Sequence, residues 1–187
     1  MTKILFATGN QRKINEANDT LKSYNIIVNP VSIEIDEIQH HDPVEITKAK
    51  ARAAFTVLKV PVVVSDTSWS IPALGGFPGG YMKDVGIWWS EHDWLNVMSG
   101  HEDKSIILQE HLAYYDGVEL IHFSQDYDGV FLNQIQGPIV NEKESFERVA
   151  SLDGSLSLAE GQANRINNGE KKQLAHWQKF GEWFNNQ

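Results

Sequence analysis

The chain has 187 residues, of which 41% are hydrophobic and 22% are charged, a composition typical of one folded domain. Its net charge of −9 argues against binding along a nucleic-acid backbone, which needs a basic surface, and no apolar stretch is long enough to span a membrane. The sequence contains no cysteine, which excludes disulfides and thiolate metal sites and is compatible with a reducing compartment. We therefore expect a cytoplasmic protein that binds neither nucleic acid nor membranes.

Strands and helices are predicted to alternate along the chain. Apolar and β-branched runs predict strands at residues 3–7, 26–33, 62–64, 105–115 and 119–131. Apolar residues at helical spacing predict helices at residues 10–24, 43–57 and 93–99 and at the C-terminus. Asn10 and Pro43 suit the first positions of the first two helices. This order predicts an α/β protein with a mixed, twisted sheet and flanking helices.

The first predicted strand passes through a short turn into the first helix, and this turn has the features of an anion-binding site. Backbone amides at a helix start and the positive end of the helix dipole attract phosphate. Gly9 allows close approach, Thr8 and Asn10 can donate hydrogen bonds, and Lys13 adds a charge one turn into the helix. The alternative is an ordinary capped turn with a surface lysine, which the turn by itself favours.

Carboxylates follow two of the predicted strands. Glu34, Asp36 and Glu37 come after the second strand, and Asp66 ends the valine-rich third strand. The carboxyl ends of parallel strands open onto one crevice, where two carboxylates can hold Mg²⁺ and one can activate water. Glu34 and Asp36 are better explained as solvated loop charges. Asp66 follows a buried run, where a carboxylate without a partner would be costly.

A glycine-rich segment at residues 73–83 combines close-approach glycines with Phe77, Tyr81 and a terminal Lys83. The aromatic rings could stack on a purine, and the lysine could meet a phosphate. A tight connection between two elements explains the loop equally well. The six tryptophans are mostly expected in the core or at a dimer interface, with Trp69 and Trp88 as candidates for base stacking.

Several short motifs occur in a fixed order along residues 1–138. They are Thr-Gly-Asn with Lys13, Asp-Glu-Ile-Gln at 36–39, Glu-Ile at 45–46 with Lys50, Asp-Thr-Ser-Trp at 66–69, Ala73 through Tyr81, and Glu-Asp-Lys-Ser at 102–105. In this order they resemble the motifs of the inosine triphosphate pyrophosphatase family. The long glycine-proline motif is the most specific of them.

The resemblance implies an elongated fold with a central cleft between two lobes of a single domain, residues 1–187, and a homodimer. It implies hydrolysis of deaminated purine nucleoside triphosphates (ITP, dITP and XTP) to the monophosphate and pyrophosphate, with Mg²⁺, or Mn²⁺ as the alternative metal. Glu37 and Asp66 would bind the metal, and Asp66 would also be the catalytic base toward water. The substrate contacts carried over by position are Thr8, Gly9, Asn10, Lys13, Lys50, Thr67 and Lys83.

The sequence departs from the family's pattern at several points. Ser65 stands where the family has a second acid, and Ser68 stands where it has glycine. The base-contacting F-G-[WY]-D-P stretch has no counterpart after residues 137–138, and the terminal S-H-R is missing. Aligning the final helices adds three substrate-binding candidates: Arg165, Lys171 and Lys172.

These departures leave two other functions open. One is a related pyrophosphatase with a different nucleotide preference. The other is a non-catalytic nucleotide-binding protein that kept the fold.

Overall fold

The structure is a computed structural model. It describes residues 1–139, 145–168 and 173–187. The chain divides into two compact units. Unit 1 comprises Met1–Thr67, Glu110–Gln125 and Lys171–Gln187. Unit 2 comprises Ser68–Gln109 and Asp126–Glu170.

Among the described residues, seven strands form one sheet in the order β2-β1-β3-β5-β6-β7, with β4 pairing to β3. They are β1 (Thr2–Ala7), β2 (Ile26–Val31), β3 (Val62–Ser70), β4 (Pro78–Gly79), β5 (Ser105–Tyr115), β6 (Leu120–Phe131) and β7 (Ala150–Ser151). β1 runs parallel to both β2 and β3, whereas β4 and β7 run antiparallel to their partners. The prediction of an α/β protein with a mixed sheet is confirmed.

The predicted bounds of two strands were wrong. β3 continues to Ser70, well past the predicted end at residue 64, and β2 ends at Val31 instead of residue 33. β3 pairs with β1 only at its beginning, where Leu5 lies opposite Val62 and Phe6 opposite Val63. Since β1 ends at Ala7, the residues of β3 from Asp66 onward extend beyond the carboxyl end of β1. Asp66 therefore lies inside β3, just beyond the point where the neighbouring strand β1 ends.

Six α-helices occur in the described ranges: α1 (Gln11–Leu21), α2 (Pro43–Leu58), α3 (Met82–Trp88), α4 (Glu91–Met98), α5 (Leu158–Asn168) and α6 (Ala175–Asn185). None of the helices in this part of the chain is both long and apolar enough to cross a bilayer. The Asn10 side chain caps α1, as predicted, and Asp42 caps α2 immediately before Pro43. The sequence did not predict α3, which follows the glycine-rich segment.

Each unit has its own apolar core. In unit 1, α1 and α6 cover one set of strand residues that includes Phe6, Val63 and Leu112. Alternate residues of the same strands, including Val62 and Val64, pack with the alanines of α2. This alternation is the period-2 pattern of a strand buried on both faces. Unit 2 has a core rich in aromatic residues.

The glycine-rich segment lies entirely in unit 2. Gly75, Gly76 and Gly79 have positive φ angles of 66°, 93° and 53°, a conformation that side chains other than glycine adopt at a cost. The turn itself therefore accounts for these glycines, in line with the interpretation of the segment as a tight connection.

Candidate functional site

The Lys50 ammonium lies between two carboxylates in unit 1. Its Nζ is 2.8 Å from Glu37 Oε1 and 3.9 Å from Asp66 Oδ2. Lys50 is carried by α2, Glu37 by the segment that leads into α2, and Asp66 by β3. The three side chains are partly buried, with exposures of 17% for Lys50, 30% for Glu37 and 29% for Asp66. Burial alone would lower the pKa of Lys50, but Asp66 and Glu37 outweigh it and raise that pKa.

A second lysine, Lys13, reaches the same region from α1. Its Nζ donates a hydrogen bond to the backbone carbonyl of Ser65 at 3.3 Å. Desolvation lowers the pKa of Lys13 more than the negative charges of Asp66 and Glu110 raise it, and Lys50 adds to the lowering. Two ammonium groups from different helices thus lie close to Asp66. Such a pair can neutralise a polyanion that neither lysine could neutralise alone.

In the turn before α1, several backbone amides that were predicted to bind phosphate instead form hydrogen bonds within the protein. Asn10 Oδ1 accepts hydrogen bonds from the backbone amides of Arg12 at 2.9 Å and Lys13 at 3.3 Å. The Asn10 amide in turn donates to Thr8 Oγ1 at 3.1 Å. The prediction that this turn presents free backbone amides is therefore wrong for these three positions, because N-capping satisfies them internally. The Asn10 side-chain NH₂ and the Thr8 hydroxyl proton are among the donors that this arrangement leaves for a ligand.

Gly9 is not required by the packing of the protein itself. A Cβ built at this position would lie 3.7 Å from Ser32 Oγ, an ordinary contact distance. The structure therefore remains compatible with the hypothesis that glycine at this position lets a ligand approach the backbone closely.

One carboxylate of the site, Glu110 on β5, was not predicted from the sequence. Its Oε2 accepts a hydrogen bond from Thr67 Oγ1 at 2.9 Å, and its charge acts on Lys13. The Thr67 backbone N–H donates to Asp66 Oδ1, also at 2.9 Å. Glu110 lies in no motif and is 43 residues from Thr67 along the chain, so only the neighbouring position of β3 and β5 reveals it.

The family model for the Ham1 family matches residues 4–179. The chain belongs to the Ham1 family. It is therefore a member of a family of nucleoside-triphosphate pyrophosphatases, as the sequence motifs predicted. The family match extends well beyond residue 138, where the motif resemblance ended.

Named relatives of this Ham1-family chain align over most of its length. It is 29% identical over 190 residues to the dITP/XTP pyrophosphatase of Methanopyrus kandleri, covering 98% of this chain and 97% of that protein. It is 30% identical over 176 residues to the inosine triphosphate pyrophosphatase of Encephalitozoon intestinalis, covering 93% of this chain and 86% of that protein. The fold also matches a HAM1 protein from Coxiella burnetii, with a TM-score of 0.78 at 17% identity and full coverage of both chains.

Five of the residues singled out from sequence are close together in unit 1: Lys13, Glu37, Lys50, Asp66 and Thr67. Glu34 and Asp36 are exposed, as expected for solvated loop charges.

Lys83 lies on α3 and Arg165 on α5, both in unit 2. Lys171 and Lys172 lie outside the described residues.

The carboxylates of unit 1 fit a magnesium ion that completes its shell with substrate and water. Among residues 1–139, 145–168 and 173–187, no group of three or more histidine, aspartate or glutamate side chains is arranged as a self-sufficient metal site. Mg²⁺, however, usually takes only one or two protein carboxylates together with phosphates and waters. Glu37 and Asp66 already share one cation, the Lys50 ammonium. These two carboxylates can therefore hold positive charge between them.

Proposed function

We propose that this protein hydrolyses the triphosphates of deaminated purine nucleosides, such as ITP, dITP and XTP, to the nucleoside monophosphate and pyrophosphate. The observation that carries the proposal is the cluster in unit 1 in which Lys13 and Lys50 flank Asp66. Family membership supports the reaction class. The activities of two relatives that align over most of their length, a dITP/XTP pyrophosphatase and an inosine triphosphate pyrophosphatase, support the substrates.

The residues of the cluster have complementary roles in this proposal. The ammonium groups of Lys13 and Lys50 offset the charge of the phosphates, and Thr8, Gly9 and Asn10 position them at the start of α1. Asp66 accepts a proton from the attacking water. The water oxygen bonds to phosphorus, the phosphoanhydride bond between the α- and β-phosphates breaks, and pyrophosphate leaves. Phosphoryl transfer depends mainly on this kind of positioning and charge stabilisation.

Glu37 and Asp66 would hold the divalent metal. Bound there, Mg²⁺ would neutralise phosphate charge and polarise the reacting oxygen atoms. For the two carboxylates to bind a metal, the Lys50 ammonium must leave them and bind a phosphate oxygen instead. Its flexible four-carbon side chain permits this movement. We further propose that Mn²⁺ can replace Mg²⁺ and that the active form is a cytoplasmic homodimer, both on the basis of family resemblance.

The proposal is tested by measuring pyrophosphate release from ITP, dITP, XTP, ATP and GTP under identical conditions with Mg²⁺. We expect the three deaminated nucleotides to have the highest kcat/KM values. Equal values for ATP would contradict the substrate assignment and favour a pyrophosphatase with another nucleotide preference. The absence of turnover on every triphosphate with either Mg²⁺ or Mn²⁺ would contradict hydrolysis and favour a non-catalytic nucleotide-binding protein.

A further inference from the structure

The hydrogen bond between Thr67 and Glu110 fixes where the hydroxyl proton of Thr67 points. Thr67 Oγ1 and Glu110 Oε2 are 2.9 Å apart on the neighbouring strands β3 and β5. A carboxylate has no proton to donate, so the threonine must be the donor. A hydroxyl has only one proton, and this bond uses it. The Thr67 oxygen is then left with lone pairs alone.

The other donor of Thr67 is also engaged. Its backbone N–H donates to Asp66 Oδ1 at 2.9 Å. In this arrangement Thr67 offers a ligand no proton, from either side chain or backbone. A phosphate oxygen is itself an acceptor and gains nothing from a second acceptor. A water molecule, by contrast, can donate to Thr67 Oγ1.

The charge of Glu110 is compensated locally. Lys13 experiences the negative charge of both Asp66 and Glu110. A third carboxylate next to a phosphate site would otherwise repel the substrate. With Lys13 close to it, Glu110 can direct the Thr67 proton without imposing its full negative charge on the ligand.

We propose that Glu110 is a positioning residue for the attacking water, acting through Thr67; this inference rests on the proposed hydrolysis. A nucleophilic water has two protons and is oriented when both find acceptors. Asp66 accepts the proton that is removed, and Thr67 Oγ1 accepts the other. The hydrogen bond from Thr67 N–H to Asp66 Oδ1 fixes the Asp66 carboxylate relative to Thr67, so the two acceptors keep a defined position. Thr67 is thereby reassigned from a phosphate donor to a water acceptor.

The test combines Glu110→Gln, Thr67→Val and the double variant, with kcat and KM for ITP measured for each. Glutamine keeps the shape of the side chain and one acceptor oxygen, but its NH₂ can also donate to Thr67 Oγ1, so the direction of the bond is no longer fixed. Valine removes the hydroxyl. Each single variant should lower kcat about tenfold, the size expected for the loss of one orienting hydrogen bond, with KM changed less than about threefold. Because Glu110 acts through Thr67, the double variant should be no slower than the slower single variant.

Two further variants separate positioning from structure. Thr67→Ser restores the hydroxyl and should recover most of the kcat lost in Thr67→Val. Ser68→Ala removes the next cross-strand contact between β3 and β5, in which Ser68 Oγ donates to Gln109 Oε1 at 3.4 Å. This matched control should leave both kcat and KM unchanged. Thermal unfolding of every variant shows whether the fold is kept.

Four results would overturn the inference. The first is a double variant whose loss is the product of the two single losses, since Glu110 would then act independently of Thr67. The second is a raised KM with unchanged kcat in Thr67→Val, which would make Thr67 a phosphate donor. The third is a changed melting temperature of Glu110→Gln with unchanged kinetics, which would make the bond structural only. The fourth is tighter binding of inorganic triphosphate by Glu110→Gln in calorimetry, which would make Glu110 a source of repulsion.

If the wild type hydrolyses no triphosphate, the proposed function itself fails. The calorimetric measurement still reports on Thr67 in that case. Weaker binding of inorganic triphosphate by Thr67→Val would identify Thr67 as a phosphate donor and contradict the role assigned to it here. Unchanged binding would mean that only the proposed hydrolysis is wrong.

Discussion

The charged cluster of unit 1 and the aromatic core of unit 2 use buried space in opposite ways. In unit 1, partly buried lysines and carboxylates lie where β3 extends past the end of β1. In unit 2, aromatic rings fill the apolar core, where Trp94 is fully buried and its ring centroid lies 4.7 Å from those of Trp89 and Phe146. Burying a charged group costs free energy unless the group is paired, whereas burying an aromatic ring stabilises the fold. Substitutions in the two places should therefore separate chemistry from stability.

The largest effect is expected from Asp66→Asn. Asparagine keeps an oxygen for the Thr67 N–H but cannot accept the proton of the attacking water. We expect kcat for ITP to fall by about 10²–10⁴, the usual contribution of a general base, with binding of the triphosphate nearly unchanged. Steady-state kinetics and calorimetry measure the two quantities. A kcat within a fewfold of wild type would remove Asp66 from the catalytic role.

The matching substitution in unit 2 is Trp94→Ala. The Trp94 side chain is fully buried, and its Nε1 donates to Ser145 Oγ at 3.2 Å. Its loss should lower the free energy of unfolding by about 3–5 kcal/mol. Trp88, which is 76% exposed, provides the control, and Trp88→Ala should change the monomer's stability by less than about 0.5 kcal/mol. Urea denaturation distinguishes the two, and equal effects would mean that the aromatic core is not the source of stability.

A smaller effect is expected from Glu37→Gln. Removing one of the two carboxylates that flank Lys50 should raise the Mg²⁺ concentration for half-maximal rate about tenfold, while saturating Mg²⁺ should recover most of kcat. A Mg²⁺ titration of the rate at fixed ITP measures this shift. An unchanged titration curve would show that Glu37 serves only as a partner of Lys50.

The smallest effect concerns a titratable group of unit 1 outside the charged cluster. Burial first, and then the charges of His111 and Lys48, lower the pKa of His122 to about 4, against the opposing effect of Asp42 and Glu45. The unfolded chain, with an ordinary histidine pKa, binds more protons than the folded chain between pH 6.5 and about 4. Stability should therefore fall as the pH drops through this window.

For partly exposed His122, we expect this loss to be about 1–2 kcal/mol. His122→Gln cannot be protonated, so its free energy of unfolding should depend less on pH over the same range. Urea denaturation of both proteins at pH 7, 5.5 and 4.5 measures the difference. Parallel pH profiles would assign the acid sensitivity to other groups.

Local sequence signals predicted the parts of the site that depend on a single element. Asn10 is a good N-cap by its chemistry, and the position of Lys13 one turn into α1 follows from helix geometry. Asp66 stood out because a carboxylate next to a buried valine run needs a partner. The prediction nevertheless ended β3 too early, since the polar residues that follow Val64 resemble a loop in sequence. Pairing with neighbouring strands keeps them extended.

The sequence by itself determined the alternation of strands and helices, the family, and which residues carry the charges, because these depend on residue type and on spacing over a few positions. Only the tertiary structure decided which charges meet. Lys50 reaches Glu37 and Asp66, and Glu110 receives the Thr67 proton, because strand order and register bring distant segments together. A hydrogen bond of 2.9 Å depends on such placement, and no local pattern in the chain encodes it.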